Sequence, residues 1–328
     1  MTAMLAETEF RDARYDEGLA EDSGIYAMPS ERDLGISADV SGIIVVDCYG
    51  AERSFNTAVL ATGILATGMD TPDAYQIAYD VWQHLNSHHI TRIDSAELVL
   101  LTAERIAAKL SRASADLYVQ WNRARRLGRP LIVVLSGANG IGKSTLATRV
   151  ALRLGIHEVV TTGTVREVLR TIIPAEIIPE LHESLLDADA TQASTYMRQA
   201  EVVTAACASV AKRAIREGKS VMFEGTHLIP GDLAKSLRGM DEDPVVVERL
   251  LYIDDNKIDI RPVDLDSEAD ADVIDKRRIK ERRALASRRL QRILLNAAEQ
   301  SGVRSFEIQG REDLTPNIVD EYVYNAID

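Results

Sequence analysis

The sequence predicts an α/β protein in which a parallel β-sheet covered by helices follows a small, mostly helical unit. Three observations carry this. Beyond residue 130, short apolar runs at 131–135, 157–161, 220–223, 245–253 and 304–308 alternate with segments of helical spacing, as strands joined by crossover helices do. Gly137-Ala138-Asn139-Gly140-Ile141-Gly142-Lys143-Ser144 fits the pattern GxxxxGK[ST] between the first of those runs and a helical pattern. Residues 41–112, in contrast, carry one hairpin signal followed by three helical patterns.

Residues 1–40 are rich in Asp and Glu and poor in apolar runs, and are expected to form a poorly ordered tail. Ile43 to Val46 reads as a strand and Tyr49 to Glu52 as a turn, and Asn56 is placed to cap a helix carrying Val59, Leu60, Ile64 and Leu65. Pro72 suits the first turn of a second helix, with Ile77, Ala78, Val81, Trp82 and Leu85 at three- and four-residue spacing. Asp94 opens a third, in which Leu98, Leu101, Ile106 and Leu110 are expected to share a face. A linker helix over 113–129, with Leu117, Val119 and Trp121, leads to the larger domain, 130–328. There the helix after Ser144 is expected to carry Leu146, Val150, Leu152 and Leu154.

The chain has 328 residues, 46% hydrophobic and 27% charged, with a net charge of −13. That balance is ordinary for a globular protein and argues against a nucleic-acid polymer as partner, since phosphate contacts need clustered Lys and Arg. No apolar run approaches the roughly 18 residues of a membrane span, and the N-terminal residues lack a basic segment followed by an apolar one, so a cytoplasmic location without membrane partners is expected. Cys48 and Cys207 lack metal-site spacing. No oligomerisation signature is present, and assembly into a homo-oligomer is left open.

The chemistry concentrates on the glycine loop. Glycines let the backbone wrap closely around a triphosphate, so that the N–H groups of Gly137 to Thr145 and the helix N-terminus face the anion. Lys143 adds a positive charge, and the Ser144 hydroxyl is placed to ligate Mg²⁺. A second carboxylate is expected at the end of another strand. Val221-Met222-Phe223-Glu224-Gly225 supplies Glu224, to hold Mg²⁺ through water or to take the proton of an attacking hydroxyl. His227, in the turn that follows, is either a site residue or a satisfied structural histidine.

Arg166 and Arg170 lie one helical turn apart and suit an anionic, hydroxylated metabolite, or else form an exposed pair bonded to Glu167 or other surface acids. Between Lys276 and Arg292 the chain is strongly basic. On one helix Arg278, Arg282, Arg289 and Arg292 fall within roughly 80° of each other, as a lid over a transferring phosphoryl group or as a solvated face. Asn256-Lys257-Ile258-Asp259 mimics a guanine-reading NKxD pattern, which keeps GTP open beside ATP as phosphate donor.

Four blocks in order, VVLSGANGIGKSTLA, TTGTVREVLRTIIP, ELHES and AIREGKSVMFEGTHLIPG, resemble the 2-phosphoglycerate kinase family of P-loop proteins over about residues 131–235. Residues 43–110, with VVDCYGAERSFN ahead of three helices, are similar to the ATP-cone domain that precedes such kinases. The resemblance implies a P-loop kinase-type sheet and ATP-dependent phosphorylation of a hydroxyl on a small acidic metabolite. It adds His182 and Glu183 as substrate-binding candidates beside Arg166 and Arg170, with Lys143, Glu224 and Arg166 as the catalytic set. Two departures qualify it. The cone has Val46-Asp47-Cys48 and Ala58-Val59-Leu60 where nucleotide-binding cones carry a basic residue and a lysine, so a structural cone is expected. Gly163 stands in a block where relatives usually have aspartate, which suggests a larger or more anionic acceptor, such as a sugar phosphate, polyol or nucleotide-like intermediate. A catalytically impaired nucleotide-binding regulator and 2-phosphoglycerate kinase itself are the alternatives.

Overall fold

The computed structural model describes residues 42–185, 193–254, 272–308 and 313–327, and describes side chains of the helix Asp272–Ser301 from Arg282 onward. The acidic segment 1–40, the motif at 256–259 and the Arg278 side chain lie outside the described residues.

The N-terminal unit begins with β1 (Ile44–Val46), antiparallel to β2 (Glu52–Ser54). The turn between them is tied by the Asp47 carboxylate, which accepts from the Tyr49 and Ala51 N–H groups at 2.9 Å. Asn56 caps α1 (Thr57–Leu65) by accepting from Ala58 and Val59, and Pro72 sits in the first turn of α2 (Thr71–Ser87). A strand absent from the sequence reading follows: β3 (Arg92–Asp94), parallel to β1. Three residues, of which Ile93 alone is buried, leave no period-two signal. Asp94 then caps α3 (Ser95–Lys109). Leu110 lies past the last turn of α3 and is 48% exposed, so it does not share the buried face.

The sequence then forms α4 (Arg112–Arg126), whose buried residues divide between two cores. Ala115 and Tyr118 belong to the N-terminal core, whereas Trp121 and Ala124 belong to the core of the larger sheet.

That sheet is made from β4 (Leu131–Gly137), β5 (Glu158–Thr161), β6 (Val221–Gly225), β7 (Val245–Tyr252) and β8 (Arg304–Glu307), in the order β5-β6-β4-β7-β8 and parallel throughout. Between these strands lie α5 (Lys143–Leu154), α6 (Thr162–Ile172), the short α7 (Pro179–His182), α8 (Ala193–Arg216), the short α9 (Asp232–Ser236) and α10 (Asp272–Ser301), and α11 (Thr315–Ile327) follows β8. Alternation along β4 decides which helices go where. Leu131, Val133 and Leu135 face α5, α4 and α11, while Ile132 and Val134 face the α8 side. Leu152 is 64% exposed, because six residues after Leu146 it has rotated to the far side of α5.

The chain leaves central β4 for edge strand β5, returns to β6 beside β4, and crosses to β7 on the other side. The order therefore reverses at the carboxyl end of β4, where open parallel sheets form a crevice. Among the described residues no helix is long and apolar enough to cross a membrane.

Candidate active site

The crevice is floored by the loop from Gly137 to Gly142. Gly142 takes φ 90°, a left-handed conformation that a residue with a side chain resists, and so turns the chain directly into α5 at Lys143. The first-turn N–H groups of α5 thus open toward the loop. Lys143 is 6% exposed and its Nζ donates to the Ala138 carbonyl at 2.5 Å. Burial pulls this ammonium down to about 8, opposed by nearby Glu224. Ser144 Oγ donates to Glu224 Oε1 at 3.0 Å, joining the start of α5 to the end of β6. A hydroxyl and a carboxylate meeting beside a phosphate-binding loop are the hard oxygen donors that Mg²⁺ takes, so the residues fit that ion.

Sequence reasoning missed what fixes the loop from above. Thr226 Oγ1 donates to Asn139 Oδ1 at 2.7 Å, and Ser287 Oγ on α10 donates to the Asn139 carbonyl at 3.1 Å. One turn further, the Gln291 amide brackets the end of β7, accepting from Ile253 N at 3.1 Å and donating to Ile253 O at 2.8 Å. A signal was present: Ser287 and Gln291 are polar and four residues apart beside the apolar seam Ala286, Leu290, Leu294 and Ala298.

That seam also sets the rotation of the basic helix. Arg282, Arg289 and Arg292 are exposed, and Arg282 precedes the seam residue Ala286 by one turn. Arg288 is partly buried instead, and its Nε has no hydrogen-bond partner among the described residues.

On the other side of the crevice, Thr162, Arg166 and Arg170 recur at four-residue spacing along α6. Thr162 lies so close to β6 that a Cβ on Gly225 would come 1.8 Å from its Oγ1, which requires glycine there. Arg166 donates through Nη2 to the Glu183 carbonyl at 2.5 Å. Arg170 Nη1 donates to both carboxylate oxygens of Glu167, at 2.9 and 3.0 Å. Burial and then the charge of Arg170 lower the Arg166 pKa, with Glu167 opposing. The Nε atoms of both arginines are buried and have no hydrogen-bond partner among the described residues.

His182 does not join this face: its Nε2 bonds the Ile173 carbonyl at 2.8 Å, fastening the loop after α6. Glu183 contributes its backbone carbonyl, and its side chain is half-buried. At Gly163, in the first turn of α6, a Cβ would meet nothing within 4 Å. His227 is 6% exposed and bonded at both nitrogens, Nδ1 to Thr162 Oγ1 at 3.3 Å and Nε2 to Gln199 Oε1 at 3.2 Å. Burial, Arg166 and Lys143 push its pKa down to about 4, so the ring is neutral.

A family profile described as "AAA domain" matches residues 132–253, the span from β4 to the end of β7. Among curated proteins, the chain is 36% identical over 186 residues to the 2-phosphoglycerate kinase of Pyrococcus horikoshii, covering 54% of this chain and 62% of that protein. It is 36% identical over 199 residues to that of Pyrococcus furiosus, covering 58% and 66%. With the protein of that name from Thermococcus kodakarensis it shares 35% identity over 199 residues, covering 58% and 69%. The chain thus spans slightly less than two thirds of the two Pyrococcus proteins.

Proposed function

The chain belongs to the 2-phosphoglycerate kinase family, and from that premise we propose that it is an ATP- and Mg²⁺-dependent kinase acting on a hydroxyl of a small, already phosphorylated metabolite of the cytoplasm. The observation that carries the proposal is the Ser144–Glu224 contact at 3.0 Å, one residue from buried Lys143.

Mg²⁺, when bound, would neutralise phosphate charge. Ser144 and Glu224 would hold it, directly or through water, and the loop from Gly137 to Thr145 would cradle the triphosphate with its N–H groups. Lys143 leaves the Ala138 carbonyl for a phosphate oxygen. The acceptor oxygen forms the new bond to phosphorus as the bond to ADP breaks, and the hydroxyl proton passes to Glu224 or to water. Arg166 and Arg170 grip the acceptor's own anionic group. Their buried Nε groups, without a partner among the described residues, and Glu167, the single carboxylate bonded to them among those residues, support this role.

Relatives bearing the name make 2-phosphoglycerate the first acceptor to test. The larger acceptor expected from Gly163 gains nothing from those names; the open space at that position is the observation in its favour. Labelled ATP and Mg²⁺ offered to phosphorylated glycerates, sugars, polyols and nucleotides, with Lys143→Ala as control, tests both. Transfer lost in the variant supports the kinase, and a best kcat/KM on 2-phosphoglycerate sinks the larger acceptor. If a larger compound wins, Gly163→Asp is expected to shift preference back toward 2-phosphoglycerate. Tight ATP binding with no transfer to any compound favours the regulatory alternative.

A further inference from the structure

We propose that His227 and Gln199 are positioning residues for the acceptor side of the site, acting through Arg166; this rests on the kinase reading above. Gln199 on α8 is fully buried, and its Nε2 donates to the backbone carbonyls of Glu180 and Glu183, the latter at 3.0 Å. Those two bonds fix the amide's orientation, so its Oε1 must accept from His227 Nε2–H. The remaining nitrogen, Nδ1, then carries a lone pair and accepts from the Thr162 hydroxyl.

Two supports of Arg166 hang on this pair. Its guanidinium donates to the Glu183 carbonyl that Gln199 also holds, and its helix begins at Thr162, one turn before Arg166 on the same face. The turn bearing His227 is anchored separately, by Thr204 Oγ1 to the His227 carbonyl at 3.1 Å and by the Tyr196 hydroxyl to the Thr226 carbonyl at 2.8 Å. Because both ring nitrogens are engaged, His227 neither touches substrate nor acts as a base. It joins α6 to α8 and sets where the arginine stands.

The test uses the full chain and three variants. Gln199→Leu removes the amide. His227→Gln places an amide near the former Nε2 and keeps the link to Gln199, and His227→Asn places one near Nδ1 and keeps the link to Thr162. In Gln199→Leu the acceptor KM is expected to rise about tenfold or more while the ATP KM stays within about twofold. His227→Gln is expected to retain more acceptor affinity than His227→Asn. Amide hydrogen exchange, which needs no substrate, is expected to quicken over residues 178–185 and to stay unchanged over 138–146 in Gln199→Leu. Equal effects on both KM values, or unchanged exchange over 178–185, overturns the proposal. Wild-type protein that transfers phosphate to no acceptor, with the exchange difference intact, removes the kinase reading and leaves the positioning role standing.

Discussion

Ser287 reaches across 148 residues of sequence to donate to the main-chain carbonyl of Asn139. The helix that follows β7 and the phosphate loop are therefore one hydrogen-bonded assembly, completed by Gln291 on Ile253, the residue just past the strand. A neutral hydrogen bond contributes about 0.5–1.5 kcal/mol, so Ser287→Ala is expected to weaken ATP binding by about two- to tenfold. Calorimetric titration of both proteins with ATP measures this, and unchanged affinity means that the loop holds its shape without α10.

ATP affinity is expected to depend on alkaline pH through Lys143. Burial brings its ammonium down to about 8 in the free protein, and a triphosphate binds best to the charged form. Affinity should be flat below that pH and fall by up to about tenfold per unit above it. The same titration series from neutral to mildly alkaline buffer reads the slope.

His227 is expected to destabilise the fold in acid. Its native pKa, about 4, lies below the unfolded value of 6.5, so the unfolded chain binds a proton that the native ring refuses. Stability present above 6.5 is lost as pH falls toward 4, by about 2 kcal/mol between pH 7 and 5. Thermal melts across that range should show a shallower acid limb in His227→Gln than in the wild type.

Arg249 is 1% exposed in the middle of β7. Its guanidinium is met by Asn317 Oδ1 and the Glu248 carbonyl at 2.8 Å, by the Asn317 carbonyl at 3.2 Å and by Glu321 at 2.8 Å. Arg249→Met leaves Glu321 without its cation and is expected to cost about 3–5 kcal/mol in urea unfolding. The double variant with Glu321→Leu should recover part of the loss, because it removes the stranded carboxylate too.

The sheet was legible because its strands are apolar runs long enough to stand out, and the phosphate loop because its spacing is rare. Glu224 was legible as a carboxylate ending an apolar run before glycine. Gln199 was not: a glutamine in a helix carries no mark of the buried histidine 28 residues away that accepts its orientation. The bearing of the α10 arginines on the site was illegible for a related reason. Sequence gives their angles relative to one another, while the direction of the sheet is set by Ala286, Leu290, Leu294 and Ala298. Arg249 was hidden inside an apolar run, and its partners lie on α11, some 70 residues on.

The helix α4 carries a consequence for any attempt to divide the protein. Trp121 meets Tyr322 edge to face with ring centroids 5.3 Å apart, while Tyr118, less than one turn earlier, belongs to the N-terminal core. A cut between residues 129 and 130, where the sequence places the start of the larger domain, would strip the larger core of Trp121 and Ala124 and uncover the Tyr322 ring. The N-terminal unit is thus less an appendage than one wall of the catalytic half, and the two should melt as a single body.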